Sequence, residues 1–133
     1  MSAAPGRRIA TVALVVADYD AAIAWYTQKL RLRLFEDIDF GDGKRWVTVG
    51  PADGGARLLL AEAKSDEERS RIGNQTGGRV FLFLETDDFA RDHAAMLAHG
   101  VEFREEPRHE AYGTVAVFAD LHGNLWDLIE PRR

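Results

Sequence analysis

The segment Pro107-Arg108-His109-Glu110-Ala111-Tyr112-Gly113 places an imidazole, a carboxylate and a phenol side by side. These groups move protons near neutral pH. His109 could serve as a general base, with Glu110 or Tyr112 orienting a substrate. The plainer alternative is a hairpin loop whose Tyr packs over a sheet and whose His is solvated. A second set of charges, Arg57, Glu85 and Asp127, lies inside otherwise apolar stretches that also carry Phe81 and Phe83. Charges buried in such stretches need partners. Either Arg57 pairs with Asp127 or Glu85 as a structural bridge, or these groups orient a ligand. His93 and His99 fall on a helix, and His122 falls in a turn where it is expected to be solvated. No two histidines show metal-ligand spacing with a third donor.

Composition narrows the chemistry. The chain has 133 residues, 46% of them hydrophobic, enough for one domain with a shared core. A formal charge of −5, with no basic run longer than two residues, argues against nucleic acid or an anionic membrane as partner. With no cysteine, disulfides, thiolate nucleophiles and zinc-thiolate sites are excluded. Met1 to Arg8 lacks the apolar core of a secretory signal, and no stretch is apolar enough to span a membrane. A cytoplasmic location is the expectation.

The elements that must position these residues follow from periodicity. Ile9 to Val16 is a β-branched apolar run, read as a strand. Asp18 caps a helix whose buried face is Ala22, Ile23, Tyr26 and Leu30. Strands follow at 32–40, 44–50 and 56–62, the first pair joined by an Asp42-Gly43 hairpin turn. Residues 63–78 are charged, then polar and Gly-rich, and read as a linker with a helical turn after Ser65. At its end, Asn74-Gln75-Thr76-Gly77-Gly78-Arg79 could also form a flap or a dimer contact. Then the pattern returns: a strand over 79–86, a helix capped by Asp87 or Asp88 that stops at Gly100, and strands over 101–107, 113–119 and 124–131.

The chain therefore repeats itself. Asp18-Tyr19-Asp20-Ala21-Ala22 is answered by Asp87-Asp88-Phe89-Ala90-Arg91. Trp46-Val47-Thr48-Val49 and Leu58-Leu59-Leu60-Ala61-Glu62 are answered by Thr114-Val115-Ala116-Val117 and Trp126-Asp127-Leu128-Ile129-Glu130. The result is an α+β fold of two tandem β-α-β-β-β modules, one over about 7–62 and the other over about 79–131, within a single domain spanning 1–133.

Two such units resemble the vicinal oxygen chelate superfamily, which includes glyoxalase I, bleomycin resistance proteins and extradiol dioxygenases. The resemblance covers about residues 7–131. It rests on Val15-Val16-Ala17-Asp18 with Ala22 and Trp25-Tyr26, and on the closing stretch Phe118 to Glu130 with its Gly123-Asn124 turn. The resemblance implies a cupped mixed sheet in each module, a homodimer, and a site in the cup between modules. Trp25, Trp46 and Tyr112 are the aromatics to expect at the dimer interface.

The resemblance also implies where a metal would sit. The family's ligand positions fall on Thr11, Leu59, Phe81 (or Leu82) and Asp127. Of these only Asp127 is a competent donor, whereas a catalytic divalent ion needs about three. The family's usual metal is therefore not expected. If Thr11 and Phe81 face the cup, strand alternation adds Ala13, Val15, Phe83 and Glu85, with Arg57, Leu59, Asp127 and Ile129 from the fourth strands. That lining suits a small, partly apolar or aromatic molecule, as the resistance proteins of the family sequester drugs. Phe81 and Phe83 could instead simply fill the cup. The alternative is an enzyme, a lactoylglutathione-lyase-like lyase or a dioxygenase. It would hold a divalent metal through Asp127, Glu85 and His109, or work metal-free through His109 and Glu110.

Overall fold

A computed structural model describes residues 2–133. Asp18 is extended and its carboxylate accepts from the Ala21 N–H at 2.8 Å, which starts α1 (Tyr19–Gln28) directly after β1 (Thr11–Val16). β2 (Arg33–Gly41) and β3 (Lys44–Gly50) turn through Asp42 (φ 54°) and Gly43 (φ 78°). Two successive positive φ angles match the twist of a tight hairpin. β4 (Arg57–Glu62) returns to lie parallel to β1, giving the sheet order β1-β4-β3-β2.

After α2 (Asp66–Ser70) the second unit repeats the plan with β5 (Val80–Glu85) and α3 (Phe89–Ala98), capped by Asp88. Gly100 follows α3 at φ 84°. The second sheet runs β5-β9-β8-β6, from β6 (Glu102–Phe103), β8 (Gly113–Ala119) and β9 (Leu125–Pro131), with β7 (Arg108–Glu110) pairing the start of β8.

Two strands differ from expectation. The first begins at Thr11, because Ile9 projects into solvent. The strand expected over 101–107 is broken. Arg104 still donates its N–H to the Val117 carbonyl, but the Val117 N–H goes to the Glu105 side chain at 2.9 Å. A carboxylate there replaces a backbone partner, and the chain re-enters the sheet as β7.

One core serves both sheets. Leu14, Val16, Leu58 and Leu60 from the first sheet and Phe118, Trp126 and Leu128 from the second are buried in the same cluster. Tyr26 of α1 joins them, its ring centroid 6.0 Å from that of Trp126. Its hydroxyl donates to Asp120 at 2.6 Å. Asp120 also accepts from Trp126 Nε1, Asn124 Nδ2 and the N–H groups of His122 and Asn124. Five donors account for a carboxylate that is almost fully buried. Both sheets contribute one face to this core, so their other faces point away from it.

The linker is fastened rather than loose. The Gln75 side chain takes the Val15 N–H at 3.3 Å and gives Nε2–H to the Ala13 carbonyl at 3.0 Å, so its amide pairs with the free edge of β1 as another strand would. The Gln75 N–H donates to Asn124 Oδ1 at 3.1 Å. His122, expected in solvent, is half-buried, and its Nε2 accepts from the Ala17 N–H at 3.2 Å. A Cβ at Gly73 would overlap the His122 carbonyl, which explains the glycine there.

Candidate ligand-binding face

Strand register decides which sequence-predicted residues meet. Phe83 pairs with Asp127, and Asp127 with Val117. Glu85 pairs with Ile129, Ile129 with Val115, and Val115 with Arg108. These are two adjacent rows on the outer face of the second sheet, since directly paired residues share a face. Phe83, Glu85 and Asp127 are thus brought together. Phe83 is 64% exposed, a large apolar side chain presented to solvent.

Phe81 does not continue that row. The β5–β9 register slips between Val80 and Leu82, and Phe81 packs against the core cluster. Strict alternation misses this local irregularity.

Asp127 is the unusual group on this face. Its Oδ1 is buried with no hydrogen-bond partner. Burial pushes its carboxyl above the ordinary aspartate range; Arg108 works against that shift and Glu105 adds to it. Arg108 is already engaged. Its guanidinium donates to Glu105 at 2.8 Å and Glu110 at 3.1 Å, and reaches the Tyr112 hydroxyl at 3.5 Å. The bond from Arg108, joined by the one from the Val117 N–H, holds Glu105 below the usual carboxylate range. The outer face therefore combines a satisfied cation network with one carboxyl that has capacity to spare. Arg108 and Glu105 escape the sequence reading because only the broken strand brings them beside Asp127.

His109 stands apart from its sequence neighbours. It pairs with Thr114, and Thr114 with Glu130, a row on the opposite face of the sheet. Its Nδ1 lies 3.3 Å from the Thr114 hydroxyl. His109 and Glu110 touch one shallow cleft of about 370 Å³ near the C-terminus, from different faces of β7. Glu110 and Tyr112 join Arg108, whereas His109 does not converge with Asp127 and Glu85.

On the outer face of the first sheet, Thr11 pairs with Arg57, and Ala13 with Leu59. The Arg57 guanidinium lies 3.7 Å from the Phe35 ring centroid, a cation–π contact rather than the bridge to Asp127 or Glu85 that is one of the two readings of its sequence. Beside it, Glu36 accepts from Trp46 Nε1 at 3.2 Å and Thr48 Oγ1 at 3.0 Å. Phe35 and Glu36 sit at a register shift in β2, which hid them from simple alternation. Trp46 and Tyr112 are exposed, while Trp25 packs against the core.

A four-stranded and a five-stranded sheet, each built on a β-α-β-β-β plan with a parallel pair (β1/β4 and β5/β9), form a distinctive architecture. The family model for the Glyoxalase/Bleomycin resistance protein/Dioxygenase superfamily matches residues 8–128. The chain belongs to that superfamily. An uncharacterised protein of Shewanella frigidimarina is 53% identical over 124 residues, covering 92% of each chain. The uncharacterised YurT of Bacillus subtilis is 30% identical, over 92% of this chain and 98% of that one. Among solved structures, UcmS2 superposes with a TM-score of 0.81 at 29% identity, covering 93% of this chain and 98% of that one. TnmS3, an antibiotic binding protein from Streptomyces sp. CB03234, shares the fold with a TM-score of 0.78 at 24% identity, covering 98% and 100%.

The residues at the superfamily's metal positions do not fit a divalent ion. Leu59 and Phe81 offer no donor atom and Thr11 a poor one. Among the described residues no group of three or more His, Asp or Glu side chains could hold a metal. Also among the described residues, no helix is long and apolar enough to cross a membrane.

Proposed function

We propose that this protein binds a small, partly aromatic molecule on the outer face of its second sheet, without the superfamily's usual metal. Asp127 orients the ligand, Phe83 supplies an apolar wall, and Glu85, Glu110 and Tyr112 flank them. The observation that carries this reading is the buried, unpartnered Oδ1 of Asp127. A polar atom withdrawn from water without a partner costs about 1–3 kcal/mol, which a ligand donor placed against it recovers. A second copy closes the site. It brings its first-sheet face, with Thr11, Arg57 and Leu59, over Asp127, because one chain alone leaves both outer faces open. The exposed Phe83 and Trp46 support such a homodimer. That TnmS3, of the same fold, is an antibiotic binding protein supports the reading.

The test is a thermal-shift screen of small aromatic compounds on chelator-treated protein, repeated with Asp127→Ala. A compound that raises Tm in the parent and not in the variant supports the proposal. A stoichiometric, chelator-removable metal that is needed for binding contradicts it and turns attention to lyase and dioxygenase assays.

A further inference from the structure

Three arginines are partly withdrawn from solvent: Arg45, Arg57 and Arg108. Arg45 is held by Asp20 and Asp37, and Arg108 by Glu105 and Glu110. Arg57 alone of the three has no ion pair among the described residues. Its guanidinium lies over the Phe35 ring instead. A guanidinium seated on a ring keeps its N–H fork free in its own plane, and that fork matches a carboxylate through two parallel bonds. Glu36 shares this face of the first sheet, through its pairing with Thr48 and that of Thr48 with Leu59. Its Oε1 is occupied by Trp46 Nε1 and Thr48 Oγ1, and no ion pair joins it to Arg57.

The outer face of the second sheet has the opposite need. Asp127 Oδ1 lacks a donor, while Glu85 stands in the adjacent row and Arg108 is spent on Glu105 and Glu110. An anionic group would be repelled there. A molecule that touches both faces must therefore turn a donor toward Asp127 and its negative charge toward Arg57.

We infer that the ligand is an aromatic carboxylate with a neutral hydrogen-bond donor at its far end. This rests on the outer-face site proposed above, to which the second copy brings Arg57. Arg57 grips the carboxylate, Asp127 accepts from the donor, and Phe83 packs on the apolar body between them.

Three probes separate the two ends: 6-hydroxy-2-naphthoate, 2-naphthoate and 2-naphthol, each titrated calorimetrically into the full chain at low ionic strength. The hydroxynaphthoate is expected to bind tightest, and added salt should weaken both acids. Arg57→Gln should weaken both acids at least tenfold and leave 2-naphthol within twofold. Arg57→Lys, which keeps the charge without the fork, should fall between parent and Arg57→Gln. Asp127→Ala should weaken the hydroxynaphthoate and 2-naphthol, and leave 2-naphthoate no weaker. Mixing Arg57→Gln with Asp127→Ala protein should, after subunit exchange, restore parent affinity at about one site in four, because each mixed dimer rebuilds one of its two sites. The inference is overturned if the hydroxynaphthoate does not bind, if Arg57→Gln spares the acids or weakens 2-naphthol equally, or if mixing restores nothing. In each of these cases, 2-naphthol binding that Asp127→Ala abolishes leaves the role of Asp127 standing. Indifference of every probe to Asp127→Ala overturns that role and this inference together.

Discussion

Tyr26→Phe removes one oxygen from the contact that joins the first module to the second. The Tyr26 hydroxyl donates to Asp120 at 2.6 Å with both residues buried, and burial, followed by the neighbouring Asp120 charge, drives the phenol far above its ordinary range. A hydrogen bond to a charged acceptor contributes about 1.5–3 kcal/mol. The same Asp120 oxygen keeps Trp126 Nε1 at 3.1 Å and Asn124 Nδ2 at 3.2 Å, so it is not left unsatisfied. The loss should therefore sit near the low end, about 1.5 kcal/mol, with Tm falling by about 5 °C. Asp120→Ala strands the Tyr26 hydroxyl, the indole N–H and two backbone N–H groups together, and should cost about 3 kcal/mol or more. Urea unfolding at pH 7, read by fluorescence and circular dichroism, measures both. The double variant should cost clearly less than the two single losses combined, because one interaction is removed twice. A Tyr26→Phe change below about 0.3 kcal/mol, or strict additivity, would refute the claim that this contact couples the modules.

Other expectations concern the linker and the outer face. Gln75→Ala uncovers the edge of β1; it should cost about 1 kcal/mol and promote concentration-dependent self-association, visible by light scattering. Gly73→Ala forces a Cβ into the His122 carbonyl at a left-handed backbone position (φ 76°), and should lower Tm more than Gln75→Ala does. His122 has its pKa lowered by burial, with Asp120 opposing. A base harder to protonate folded than unfolded gives stability that is present above about pH 6.5 and is lost as pH falls through its lowered value. Parent Tm should thus drop on acidification below pH 6.5, and His122→Gln should flatten that drop; parallel profiles would contradict the Ala17–His122 bond. Asp127 has the opposite sign for an acid. Its raised pKa means its contribution is most favourable below about pH 3.9 and is eroded as pH rises through the folded value. Asp127→Asn should therefore be as stable as the parent or more so at pH 7, with the gap closing toward pH 4. A clear loss of stability at pH 7 would mean that the carboxylate has a structural partner.

Much of the architecture was legible because it depends on local chemistry. Asp18 and Asp88 cap helices, Asp42-Gly43 turns a hairpin, and helix-facing positions such as Leu14, Val16, Leu82 and Leu84 are aliphatic. The site was legible only in part. Alternation placed Phe83, Glu85 and Asp127 on one face, and the register agrees. It failed wherever the backbone leaves strict alternation: at Phe81, at Phe35 and Glu36, and at Glu105, whose carboxylate breaks a strand. His109 looked like a partner of Glu110 because they are adjacent in sequence, yet adjacency within a strand puts side chains on opposite faces. The roles of Gln75 and His122 depend on contacts with residues 60 or more positions away, which no local pattern encodes.

Whether Asp127 orients a ligand is decided by a paired affinity measurement. The first aromatic compound that raises the parent's Tm would be titrated calorimetrically into parent and Asp127→Ala protein, with urea stability measured on the same samples. Kd should rise at least tenfold in the variant, with stability unchanged or improved. An unchanged Kd alongside a loss of stability would contradict it, and would make Asp127 a structural residue of the sheet.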